Sequence, residues 1–172
     1  MSEFFNLMAA NAAIVREPIA GETGVWVYSS ETLISSAMKM SGVVVSGKSN
    51  SMTVLSKGKS YDTLVRTSAR LYISAGGYIE STTVSNYTTV SNAGSAVSTF
   101  LSGGTMMLSN GGVASNTSIF KNGIANIYEG GIARDGVISS GGQLMVYAGG
   151  TALAVTSNAG AIIQGNGYIE YA

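Results

Sequence analysis

The sequence predicts an all-β fold, a right-handed parallel β-helix (β-solenoid) of about eight turns of 18–19 residues, on three observations. Glycines recur at nearly constant intervals, apolar residues are locked to those glycines, and the segments between them are too short to bury a face alone. One series, Gly77, Gly94, Gly112, Gly131 and Gly150, is spaced 17, 18, 19 and 19 apart. A second, Gly104, Gly123, Gly142 and Gly160, is spaced 19, 19 and 18. The two interleave, so each turn holds a longer and a shorter segment, each opened by a glycine-type corner. Self-similarity at a period near 20 residues is the signature of a stacked repeat.

The apolar pattern follows the corners. Four residues before each stand Val54, Val65, Ile73, Val90, Phe100, Leu108, Ile119, Ile127, Ile138 and Val146, and only Thr156 interrupts the series. Two residues further back stand Met52, Thr63, Leu71, Thr88, Ser98, Met106, Thr117, Ala125, Gly136 and Leu144. A spacing of two puts both positions on one face of a β-strand. A hairpin array would need strands in antiparallel register joined by short loops. Here like residues recur one whole turn apart, which stacks Ile119 near Ile138 and Ile127 near Val146 and joins the turns into one continuous core. The inward hydroxyls of Thr63, Thr88, Ser98 and Thr117 are expected to hydrogen-bond to backbone or to one another. The turn from Gly77 to Ala93 is the shortest, and its register is the least constrained.

Composition agrees with such a rod and excludes several chemistries. Charged residues make up only 10% of the chain, nine basic against nine acidic, with no net charge, so nothing is built to neutralise a phosphate backbone. There is no cysteine and no histidine, which removes disulfides and histidine-based acid–base or zinc chemistry. The 23 glycines exceed the usual ~7% of residues and fit repeated tight corners, where a residue without a β-carbon is needed. No apolar run approaches the ~20 residues of a membrane-spanning helix.

Residues 1–19 are expected to form an amphipathic capping helix. Ser2 is its N-cap, Phe4, Phe5, Met8, Ala12 and Val15 form its apolar stripe, and Pro18 stops it. Such a helix would lid the open end of the solenoid, which occupies residues 20–172 and finishes on a strand at Tyr168–Tyr171. Ala10-Asn11-Ala12 has the small-residue look of a signal-peptidase site, but Glu3 stands where a signal peptide carries Lys or Arg.

From about Gly77 to Gly160 the long segment reads GG-x-A-x-x-T-x-V-x-x-GG, as in Gly112-Val113-Ala114-Ser115-Asn116-Thr117-Ser118-Ile119, with a shorter GG-x-x-x-V-x-x segment between copies. This resembles the strand-loop-strand passenger repeats of the AIDA-like autotransporter adhesins, strongly over about half the chain and in degenerate copies back to about residue 39. The resemblance implies a surface-exposed or extracellular passenger β-helix serving adhesion, self-association or biofilm formation. It also implies hydroxyls open to a heptosyltransferase, for which Ser102, Ser109 and Ser140 at the corners are the matching O-glycosylation candidates.

An enzyme is not expected. Glycoside hydrolysis needs two carboxyl groups within about 5–9.5 Å. Asp62 and Asp135 hold the same place in turns four apart, about 19 Å at solenoid spacing, and neither Glu80 nor Glu129 falls at that place in an adjacent turn. Asp135, within Arg134-Asp135-Gly136, reads as a turn residue. No acidic cluster suits calcium, and no cofactor, metal or catalytic residue is expected. Lys48, Lys57 and Lys59 make a small basic patch without an aromatic platform for nucleic acid. Asn86-Tyr87-Thr88 and Asn116-Thr117-Ser118 match N-glycosylation sequons, matches that arise by chance in Ser/Thr/Asn-rich sequence.

The outward positions of the short segment carry more information. Tyr72, Met107 and Met145, with Tyr128 and Tyr147 one turn apart, form a candidate association face, since exposed apolar surface marks a partner site. The reading is a non-catalytic structural solenoid for cell-surface adhesion or self-association, whose partners are further copies of itself, a glycan or a host surface. A self-assembling filament or sheath building block is the alternative. A polysaccharide-acting enzyme is the remote one, kept because parallel β-helices include such enzymes.

Overall fold

In the computed structural model, which describes residues 25–27, 31–35 and 38–172, the chain is a parallel β-solenoid with no helix among the described residues. The expected capping helix with Phe4, Phe5 and Met8 lies outside those residues. Successive strands pair in parallel with the strand one turn later, as Thr105–Leu108 does with Ile124–Ile127 and Ile124–Ile127 with Gln143–Val146. The short segments stack into an eight-stranded sheet running from Thr32–Ile34 to Ile162–Gly165, which makes about seven turns.

The long segments form a thirteen-stranded sheet folded along its length. Its crease is a column of residues with left-handed backbone: Gly42, Asp62, Ser81, Ser98, Asn116, Asp135 and Ala154, with φ between 50° and 69°. Most L-residues avoid this region, and Asn and Asp tolerate it better than most because their short polar side chains bond locally. One such residue per turn swings the strand onto a new face. Asp135 and Asp62 therefore belong to the crease, as a turn reading of Asp135 requires. Ser98 is a correction: it sits in the crease itself, not on the inward strand face.

The core is one continuous column. Of the apolar residues four before a corner, all but Phe100 are buried, including Ile127, Ile138 and Val146 at 0% exposure. Phe100 is 41% exposed and Leu101 lies inside in its place. The cause is a corner one residue short. Ile119 stands four residues before Gly123, and Leu101, which pairs with Ile119, stands only three before Gly104. Counting back four from Gly104 therefore lands on an outward side chain.

The second short corner removes two residues. Asn92 pairs with Ile73 on one side and Leu108 on the other, yet Gly94 follows it by two residues where Gly77 follows Ile73 by four. Asn92 is consequently an amide in an apolar column, 1% exposed. Its Oδ1 accepts from the Gly94 N–H at 2.9 Å and its Nδ2 donates to the Val113 carbonyl at 3.0 Å. The side chain supplies the bonds that the missing backbone would have made. These two short corners account for the 17- and 18-residue spacings from Gly77 to Gly94 and from Gly94 to Gly112.

Inward hydroxyls behave differently from expectation. The Thr63 and Ser60 hydroxyls share a hydrogen bond of 2.7 Å. Thr88 and Thr117 are buried as expected, but their hydroxyls, with those of Thr82 and Thr99, have no partner among the described residues. Thr63, Thr82, Thr99 and Thr117 each follow a crease residue, and Gly136 takes that place one turn later. Gly136 lines a small cavity of about 10 Å³ together with Thr117, Ile127 and Leu144.

Candidate association face

The outer surface of the eight-stranded sheet carries two columns of outward side chains. Tyr72, Ser91, Met107, Asn126 and Met145 follow one another in register. The apolar residues predicted to share a face do share it, but Ser91 and Asn126 separate them, so the column alternates polar and apolar. Tyr72 is 39% exposed; Met107 and Met145 are half-buried.

Tyr128 and Tyr147 stand just past the strand ends, at the corner toward the long-segment sheet. Their rings are stacked, with centroids 4.8 Å apart and planes 8° from parallel. The tyrosines follow Ile127 and Val146, which are register partners, so solenoid spacing sets the ring separation directly. Stacked aromatics of this kind contribute ~0.5–1.5 kcal/mol beyond their burial. Tyr147 keeps 39% of its surface exposed, so the pair is both a staple between turns and a flat aromatic surface open to solvent.

The polar candidates are dispersed. Ser102 and Ser140 are exposed at corners on one edge of the rod, while Ser109 is half-buried at a corner on the next edge. Lys48 and Lys57 also occupy corners on different edges, Gly47–Asn50 and Leu55–Gly58, so no joint basic patch forms. Lys59 has an aromatic partner that sequence reasoning missed: its Nζ lies 5.5 Å from the centroid of the Tyr78 ring.

That contact belongs to an interlocked cluster on the long-segment sheet. Lys59 and Tyr61 pair in register with Tyr78 and Glu80. The Tyr61 and Tyr78 rings lie 6.0 Å apart, tilted at 55°, and the Tyr78 hydroxyl donates to Glu80 Oε2 at 2.8 Å. Burial, then the bond to Glu80 and its charge, then Tyr61, push the Tyr78 hydroxyl up to about 12. Nearby, Ser41 Oγ donates to Asp62 Oδ2 at 3.0 Å. These groups bond one another across neighbouring turns and so serve the sheet. Glu80 is thereby committed to Tyr78, and Asp62 and Asp135 remain four turns apart in the crease. Among the described residues no group of three or more acidic, Cys or His side chains is placed to hold a metal.

Sequence reasoning also passed over Tyr87, which at 88% is the most exposed of the large apolar side chains among the described residues. The signal that could have found it was the short spacing around Gly94 and Gly104.

No protein-family profile matches the chain, and no curated protein matches it. Among solved structures the chain is similar to a crystallised fragment, residues 55–350, of TibA, hyper-glycosylated by TibC, at 20% identity and a TM-score of 0.34, covering 86% of this chain and 82% of that one.

Proposed function

We propose that this chain is a non-catalytic structural module, a rod whose outer face serves adhesion or self-association at a cell surface. The observation that supports it most is the surface just described. Met107 and Met145 stand on the outer surface of the eight-stranded sheet, with the stacked Tyr128–Tyr147 pair at its neighbouring corner, rather than folded into the core. A second copy of the chain is the partner that suits it, because alternating apolar and polar side chains on one face complement themselves across a two-fold axis. Met107→Lys with Met145→Lys is expected to lower the oligomer size seen by light scattering while the far-UV spectrum stays unchanged. A parent chain that is strictly monomeric at high concentration would remove the proposal.

The same reading assigns Asp62 and Asp135 to the crease rather than to chemistry. Incubation with pectin-like, chitin-like and host glycans in the presence of calcium is expected to release no product. Asn tolerates left-handed backbone as well as Asp does, so Asp62→Asn and Asp135→Asn should fold normally. Turnover that either variant abolishes would overturn the non-catalytic reading. Following the adhesin resemblance, Ser140 is the corner hydroxyl we propose for glycosylation, since it is exposed.

A further inference from the structure

Where the Gly103-Gly104 corner is one residue short, the edge of the rod is notched. The corners on either side keep their full length and carry Asn86-Tyr87 and Lys121-Asn122, while the short one between them carries only Ser102-Gly103. The notch is an open cleft of about 630 Å³, within the ~300–1,000 Å³ of small-molecule sites. Its floor is a column of outward residues in register, Thr89, Thr105 and Ile124. Two turns separate its rims, so it is about 10 Å long at solenoid spacing.

The chemistry of the walls is specific. Tyr87 stands at one rim with almost its whole ring in solvent, on left-handed backbone (φ 61°) that follows a left-handed Asn86 (φ 54°). Its N–H donates to the Gly103 carbonyl at 2.6 Å, which pins the rim to the short corner. Lys121 stands at the other rim, and among the described residues lining the notch there is no carboxylate. Between the rims lie amides and hydroxyls that both donate and accept.

We infer that this notch binds an acidic saccharide, one or two pyranose units carrying a carboxylate. The apolar C–H face of a pyranose packs on the Tyr87 ring, which offers a large, rigid amphipathic surface. The sugar hydroxyls exchange hydrogen bonds with Asn86, Asn122, Ser102 and Thr105. The carboxylate meets the Lys121 ammonium at the far rim, a partner with no competing acid on the walls. A neutral sugar would leave Lys121 unused, and a nucleic acid would want several cations along a track, where the notch has one. The inference rests on reading the rod as a non-catalytic binding surface, and it is independent of the Met/Tyr face.

The test is titration of the full chain with tri-galacturonic acid and, separately, its methyl ester, followed by amide chemical shifts. Saturable shifts centred on residues 86–89, 102–105 and 121–124 are expected, with affinity for the acid falling as salt is added. Tyr87→Gly, which suits the left-handed backbone and removes only an exposed ring, is expected to weaken binding about tenfold or more. Lys121→Gln is expected to bring the acid down to the affinity of the ester. Absence of saturable shifts, shifts centred elsewhere, an ester bound as well as the acid, or a Tyr87→Gly variant that binds like the parent would each overturn the site. Chromatography of the same mixtures separates the two readings: shortening of the trisaccharide would sink the non-catalytic reading, whereas loss of binding without shortening would sink only the notch.

Discussion

Ile127→Asp is expected to unfold the protein at ordinary temperature. Ile127 is 0% exposed and sits in register between Leu108 and Val146, both also at 0%. Removing the side chain from the core forfeits ~1.5–3 kcal/mol of burial. Placing a carboxylate there adds the cost of an unpaired charge with no described basic residue among the cavity-lining side chains around it. The sum, above ~4–5 kcal/mol, is in the range that exhausts a domain of ordinary stability. Because each turn is supported chiefly by its two neighbours, the loss falls in the middle of the stack and does not stay local. Asn126→Asp is the control. It adds the same charge one residue earlier on the same strand but on the outward face, and its melting temperature should stay near that of the parent. A melting temperature for Ile127→Asp within a degree or two of the parent would show that the inward assignment of the column is wrong.

The parts of this fold legible in the sequence are those that repeat most regularly. Glycines at the corners are needed because the chain passes close to the turn below: a β-carbon on Gly131 would stand 2.7 Å from the Leu108 carbonyl oxygen. That constraint recurs every turn and so writes itself into the spacing. The crease was not legible, because Gly42, Ser81, Asn116 and Ala154 all fill it, and what they share is a backbone angle rather than a residue type. Phe100 was misplaced for a related reason. Counting from a glycine assumes corners of constant length, and an apolar residue next to another apolar residue, Leu101, gives no warning of a one-residue slip. The candidate face was legible as a set of residues but not as a pattern, since Ser91 and Asn126 fall between Tyr72, Met107 and Met145 only once the register across the short corners is known. The notch at Tyr87 follows from the same short corner, and its signal lay in the 17- and 18-residue spacings rather than in any motif.

Asn92→Leu separates the register of this structure from a reading based on repeat consensus. The positions above and below Asn92 are Ile73 and Leu108, so repairing the column with leucine looks stabilising: it restores an apolar side chain of similar size at a site only 1% exposed. The opposite is expected. The short corner leaves the Gly94 N–H buried, with the Asn92 side-chain oxygen as its acceptor at 2.9 Å, and the Asn92 amide in turn donates to Val113 one turn on. Leucine makes neither bond. A buried donor left unsatisfied costs ~1–3 kcal/mol, and the corner cannot relax outward, because a β-carbon on Gly94 would already lie 2.5 Å from the carbonyl oxygens of Gly77 and Ser74. Apolar transfer of the leucine side chain, at ~1.5–3 kcal/mol, offsets part of this but requires space that a corner shortened by two residues does not have, and overpacking adds ~1–3 kcal/mol. The net expectation is destabilisation by about 2–4 kcal/mol, read as a lower denaturation midpoint at unchanged slope. Reinserting two residues between Asn92 and Gly94, to match the Ser74–Gly76 corner, should recover stability in the leucine background but not in the parent, where the amide already closes the turn. A leucine variant as stable as the parent, or more so, would mean that Asn92 merely fills space and that the two-residue gap is closed by backbone alone.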